Sequence, residues 1–185
     1  MKQLLSITLL FSLTVLFTAS SCKKQKNNEP QLPPETQTGA NTLGFKINGK
    51  VYTASGKGGL LSNESVWGGP NSDTSITIGA DNSIQKFALF IKIQYSGNIG
   101  THYTNEYPYT GLIQLDTDTG GTIPTGSNTY NTTHQYKGKV NIKFSNGSIN
   151  PLLTGTIVSG TFEMEAINSE GKVIKITDGR FDIGR

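Results

Sequence analysis

Residues 42–185 predict an all-β fold, a single antiparallel β-sandwich or partly open barrel of about eight to ten strands. Three observations carry that expectation. From Thr42 on, apolar side chains recur at every second position in one segment after another, which is the period of a half-buried strand and not of a helix. Turn dipeptides of the Asn-Gly type separate the alternating runs, and 22 glycines with many threonines suit short strands joined by tight turns. No capped segment of ten or more residues keeps a helical period.

The chain opens with Lys2, an apolar run from Leu4 to Phe17 and the small residues Ala19-Ser20-Ser21 before Cys22, its only cysteine. A positive start, a short apolar middle and small residues at the cut define a signal peptide over residues 1–21, and the cysteine that follows resembles the lipobox of bacterial lipoproteins. The run contains Ser6, Thr8, Ser12 and Thr14 and falls short of the ~20 apolar residues a helix needs to cross a bilayer. Cys22 is therefore expected as the lipidation site and first mature residue, its thiolate taking a diacylglycerol, with further acylation making the anchor stable. Cleavage removes Lys2 from 16 basic side chains set against 13 acidic ones, so the mature chain is close to neutral. That balance gives no argument for nucleic acid, and Lys23-Lys24-Gln25-Lys26 reads as a solvated stretch near the anchor. With its only thiol acylated, the protein has no disulfide to draw on. Residues 22–41 hold three prolines and a single large aliphatic side chain, Leu32, a composition that predicts a flexible tether.

The β domain, expected over residues 42–185, is long enough to bury about two-thirds of its unfolded surface. In its first hairpin, Asn48-Gly49 supplies the two positive-φ residues of a type I′ turn, which sets Phe45 opposite Tyr52 and Leu43 opposite Ala54. Ile76 to Ile78 and Phe87 to Ile93 flank Asp81-Asn82-Ser83 and read as a second hairpin with a central, almost continuously apolar return strand. Lys139 to Phe144 alternates strictly before the turn signal Asn146-Gly147, and Phe162 to Ala166 alternates before Asn168-Ser169-Glu170-Gly171. Lys172 to Thr177 and Arg180 to Ile183 close the set as two strands.

Several patterns approach a chemical site and miss it. Gly44 to Lys50 has the glycine and lysine spacing of a phosphate-binding loop, but Val51 follows where magnesium needs a hydroxyl, and the loop is a hairpin. Asp116-Thr-Asp118-Thr-Gly120 begins like a calcium loop, yet Ser127 stands where a bidentate glutamate belongs, so a turn is expected and no metal ligand is assigned. Glu163 and Glu165 share a strand face about 7 Å apart, a spacing an inverting glycosidase could use. Side by side on an outward face they more simply solvate it, with Lys139 and Lys143 as cross-strand partners. His102 and His134 are the only histidines, without nucleophile or zinc spacing, so no catalytic residue and no cofactor is expected. Binding is suggested by the tyrosines between Tyr95 and Gly111: Tyr103, Tyr107 and Tyr109 lie in a region broken by glycine and proline, and exposed rings there would stack on a sugar or a partner protein, whereas the plainer reading has them alternate on a strand or its exit and pack against the sandwich. Trp67, beside Gly68-Gly69-Pro70, is open to the same two readings, an exposed binding ring or a core plug, of which the plug is the commoner for a lone tryptophan near a glycine turn.

Two stretches carry a resemblance. Leu32-Pro-Pro-Glu-Thr-Gln-Thr-Gly-Ala-Asn-Thr-Leu-Gly-Phe-Lys-Ile-Asn-Gly-Lys50 is similar to the opening of an uncharacterised lipoprotein family of Bacteroidota, in which a Pro-Pro-x-Thr-Gln-Thr-Gly tether runs into an Asn-Gly-Lys hairpin. Ser159-Gly-Thr-Phe-Glu163 and Ile176-Thr-Asp-Gly-Arg-Phe-Asp-Ile183 are similar to its closing strands, while residues 55–135 carry no likeness. The family often has cysteine where Phe45 stands. The resemblance implies a small β-rich lipoprotein and no activity. Together these readings lead to the expectation of a non-enzymatic, lipid-anchored envelope module that contacts a glycan or another protein. It would be held by Cys22 at the outer membrane on the periplasmic side, since the first acid after Cys22 is Glu29 and the early acidic cluster of a surface-export signal is lacking. The alternative is an envelope hydrolase with an unrecognised carboxylate site.

Overall fold

A computed structural model describes residues 30–70, 75–94, 99–104, 110–115, 129–146 and 155–184. The described residues form eleven antiparallel strands: β1 (Thr42–Ile47), β2 (Lys50–Ser55), β3 (Glu64–Pro70), β4 (Ser75–Asn82), β5 (Phe87–Gln94), β6 (Gly100–Tyr103), β7 (Thr110–Leu115), β8 (Thr129–Asn131), β9 (Gly138–Ser145), β10 (Ile157–Ile167) and β11 (Val173–Gly184). Pairing divides them into two groups, β6-β9-β10-β11-β1-β2 and β3-β4-β5-β7-β8, joined where Ile167 of β10 pairs with Asn131 of β8. At the opposite corner Val66 N donates to Gly56 O at 2.8 Å, so β3 draws close to the end of β2 without a ladder forming. The expected architecture is therefore present, a sandwich whose two halves nearly meet as a barrel and stay open along β3.

The alternating positions fill the space between the halves. Leu43, Phe45, Ile76, Ile78, Leu89, Ile91, Ile93, Ile142 and Ile176 are among the fully buried side chains. Each contributes about 1.5–3 kcal/mol by leaving water. Phe45 is the aromatic hub, stacked on Tyr52 at 5.5 Å between centroids and edge-on to Phe87 at 5.2 Å. Its partner across the hairpin is Tyr52, and that of Leu43 is Ala54, the register the two-residue turn requires; Asn48 and Gly49 have φ of 51° and 81°.

Three local expectations change. The second hairpin turns at residues 83–86, because Asn82 stays in β4 and its Oδ1 accepts from Ile84 N and Gln85 N, while Lys86 takes φ 57°. The closing pair of strands is one bent strand, β11, with Asp178 at φ 54° as a bulge opposite both β1 and β10. The strand number exceeds ten because β6 and β8 are short and lie in the stretch where alternation is weak.

Residues 30–41, read from composition as part of the tether, lie against the outer face of β1 and β11. Gly44 leaves room for this contact: a Cβ there would stand 2.4 Å from Pro33 Cδ and 3.2 Å from Leu32 Cδ2. Arg180 Nη1 donates to the Pro33 carbonyl at 3.2 Å, and Lys143 pairs with Glu35 at 2.5 Å. The segment converges on Asp182, which is 1% exposed. Its carboxylate accepts from Thr36 Oγ1 at 2.6 Å, Thr38 N at 3.0 Å, Gly39 N at 2.9 Å and Ala40 N at 3.2 Å. Burial alone would raise the pKa of Asp182, but the donors from Thr36, Thr38, Ala40 and Gly39 outweigh it and hold the group below the ordinary carboxylate value. Composition could not reveal this, since much of the docking is hydrogen bonding to one remote carboxylate, with apolar packing at Leu32 and Pro33 beside it.

Sheet edges are managed in the same way. The outward backbone groups of β2 meet the side chain of Gln85, which accepts from Thr53 N at 2.7 Å and donates to Val51 O at 3.0 Å, while Asn82 Nδ2 donates to Thr53 O at 2.8 Å. Two amides thus occupy the positions a further strand would take, which blunts an edge otherwise open to pairing.

Candidate functional site

The opening along β3 holds a cavity of about 490 Å³ whose walls include Trp67, Phe90, Thr77, Lys57, Asn41 and Ile183. Cross-strand register puts Trp67 opposite Gly79 on β4 and Gly79 opposite Phe90 on β5. The missing side chain at Gly79 lets the indole lie flat on the sheet, since a Cβ there would come 2.3 Å from Trp67 Cε2 and Cζ2. Phe90 supports the ring from the next strand at 5.9 Å between centroids, tilted by 42°. Trp67 is thereby fixed and remains 44% exposed, so the expected core plug is instead a surface ring. Val66 takes the inward position and is buried, and strand alternation turns its neighbour outward.

The other walls are also held in place. Asn41, at φ 52°, donates through Nδ2 to Gly39 O at 3.1 Å and accepts from Gly184 N at 3.1 Å, which ties the N-terminal segment to the end of β11. Gly68 presses against Thr77 O, where a Cβ would stand 2.1 Å away, and keeps β3 close to β4 below the opening. Lys57 supplies a positive charge at the rim, and among the described residues none that lines the cavity is acidic. The site is a rigid aromatic ring over a partly apolar hollow with polar groups at one side, an arrangement that can stack a flat or ring-shaped ligand and orient its hydroxyls or acid groups.

A second hollow, of about 300 Å³, lies between the N-terminal segment and the outer face of β9, β10 and β11, and brings Glu35, Glu163 and Asp178 to one concavity. Each carboxylate has a lysine: Lys143 for Glu35, Lys139 at 3.4 Å for Glu163 and Lys46 at 3.0 Å for Asp178. The hydrogen bond from Lys143, opposed by slight burial and assisted by the charges of Lys143 and Arg180, lowers the pKa of Glu35. A general acid at neutral pH needs the opposite shift. Glu165 pairs with Lys175 at 3.7 Å, so the two glutamates of β10 have separate partners; Lys139 is the one foreseen, while Lys143 serves Glu35. Among the described residues no group of three His, Cys, Asp or Glu side chains could hold a metal ion.

Tyr103 ends β6 and is 49% exposed beside a hollow of about 190 Å³ shared with Lys137, Lys139, Glu163, Glu165 and Lys175. Tyr107 and Tyr109 lie outside the described residues, as do Cys22, the Asp116 and Asp118 loop and Gly147. Sequence reasoning thus pointed to Tyr103 and passed over the Trp67 cavity. The available signal was Trp67 following inward Val66 on a two-residue period, which places it outward. Comparison with known protein families, with curated proteins and with solved structures finds no match to the chain.

Proposed function

We propose that the protein is a lipid-anchored module of the bacterial cell envelope, acylated at Cys22 and held at the periplasmic side of the outer membrane, that binds glycan at Trp67 without acting as an enzyme. The observation that carries the binding reading is the half-exposed indole, laid on Gly79 and backed by Phe90 at the mouth of a 490 Å³ cavity. That volume lies in the range of small-ligand sites, too confined for a folded partner and large enough for one or two sugar rings. Lys57 and Thr77 give such a ligand polar contacts. The anchor reading rests on Ala19-Ser20-Ser21-Cys22 and the apolar run before it. The hydrolase alternative gains nothing from the carboxylate hollow, whose acids are paired with lysines.

Electrophoresis through gels containing the organism's envelope polysaccharide tests this reading. Wild-type protein and Tyr103→Ala are expected to be retarded. Trp67→Ala should lose about twofold to twelvefold in affinity, the equivalent of the ~0.5–1.5 kcal/mol of an aromatic contact. Equal retardation of Trp67→Ala and wild type would exclude the cavity as the binding site.

A further inference from the structure

We infer that the loop between β2 and β3 is a second membrane contact, with Leu60 and Leu61 entering the surface of the bilayer that holds the acyl chains of Cys22; the inference rests on the lipid-anchor reading. These adjacent leucines are 101% and 94% exposed. The loop does not owe that exposure to fraying. Its roots are tied by Val66 N to Gly56 O at 2.8 Å and by Ser83 N to Asn63 O at 2.8 Å, and inside it Ser62 N donates to Gly59 O at 3.0 Å. Gly58 and Gly59 take φ of 74° and 156°, so the chain turns just before the leucines and presents them at the tip. Over residues 56–63 the only charged side chain is Lys57, a sign that suits anionic headgroups. A tip with two large apolar side chains and a flanking cation is suited to an interface with hydrocarbon below and headgroups around it.

The length of chain outside the structure selects the membrane as the occupant. With residues 30–41 docked, only residues 22–29 remain between the acylated cysteine and the fold, and they span at most about 29 Å. Leu32 rests on Gly44, and Gly56 N donates to Asn41 O at 2.8 Å. Asn41 and Gly44 are about 10 Å apart along an extended chain, so the tether leaves the fold close to the root of the leucine loop. Anchor and tip can therefore reach one bilayer plane.

The test uses the full mature protein in phosphatidylethanolamine and phosphatidylglycerol vesicles that carry doxyl-labelled lipid. Once Cys22 is acylated, an added cysteine is the only thiol, so Leu61→Cys and Val173→Cys can each be labelled with an environment-sensitive fluorophore. Val173 is exposed and begins β11, whose other end meets Asn41 through Gly184. The expected result is a blue shift and strong loss of emission at position 61 and water-like, unquenched emission at position 173. Equal quenching at the two positions, high or absent, overturns the inference. The mass of the same preparation reports acylation: a chain without lipid removes the anchor reading and this inference with it, whereas an acylated chain with an unquenched label at position 61 removes this inference alone.

Discussion

At the scale of single residues, Asp182 is the charge on which the N-terminal segment depends. It is buried, and its compensation comes from Thr36, Thr38, Gly39 and Ala40, more than 140 positions away. Asp182→Asn would turn an amide N–H toward donors that need an acceptor, and should cost about 2–4 kcal/mol in chemical denaturation at neutral pH. The pH dependence has a defined sign. Because the folded pKa is lowered, the stabilisation is fully present above the unfolded value of about 3.9 and is lost as pH falls through the folded value. The difference in stability between wild type and Asp182→Asn should therefore shrink in strong acid. A difference that stays constant, or is zero at neutral pH, would separate the carboxylate from the docking of residues 36–40. Neither Asp182 nor its donors could be singled out from the sequence, because an isolated aspartate in a strand has the same one-letter signature whether it faces water or a covering segment.

At the scale of elements, local chemistry was legible wherever the turn determined the register. Asn48-Gly49 gave the pairs Phe45 with Tyr52 and Leu43 with Ala54, and both hold. No atom would lie within 4 Å of a Cβ at Gly49, so any cost of Gly49→Val comes from the backbone at φ 81° and not from a clash. That substitution should destabilise the domain by more than about 1 kcal/mol, with Val51→Ile nearly neutral as a control. Equal denaturation midpoints for Gly49→Val and wild type would count against the type I′ turn. Elements fixed by distant partners were less legible. β8 spans Thr129–Asn131 and meets β10 at one residue pair, and β11 was expected as two strands because the Asp178 bulge imitates a turn. Gln85 belongs to the same class: nothing local marks a turn glutamine as the cap of another hairpin's edge.

At the scale of the whole molecule, the two ends of the domain are joined. The Thr36-Gln37-Thr38-Gly39 stretch and the Phe181-Asp182-Ile183 stretch touch through the Asp182 carboxylate, and Asn41 adds a bond to Gly184. On the proposed anchoring at Cys22, docking of residues 30–41 would shorten the segment between membrane and fold and hold the module close to the bilayer. Replacing Cys22 with serine leaves a hydroxyl, a far weaker nucleophile than a thiolate, so metabolic labelling with a fatty-acid analogue should mark the wild type and spare Cys22→Ser. An unlabelled wild type would contradict the anchor.

The candidate binding cavity was only half legible. Its ring was in view as the chain's one tryptophan, but its orientation depends on Gly79, which the sequence shows only as a residue between two apolar strand positions. That single tryptophan also gives the most direct test of the central claim, that the opening along β3 is a glycan-binding surface. Fluorescence of Trp67 should be followed while envelope polysaccharide is titrated into the protein and binding is measured in parallel by retardation in the gel. A saturable change in emission that tracks retention is expected. Retention with unchanged emission, or no retention at all, would contradict glycan binding along β3.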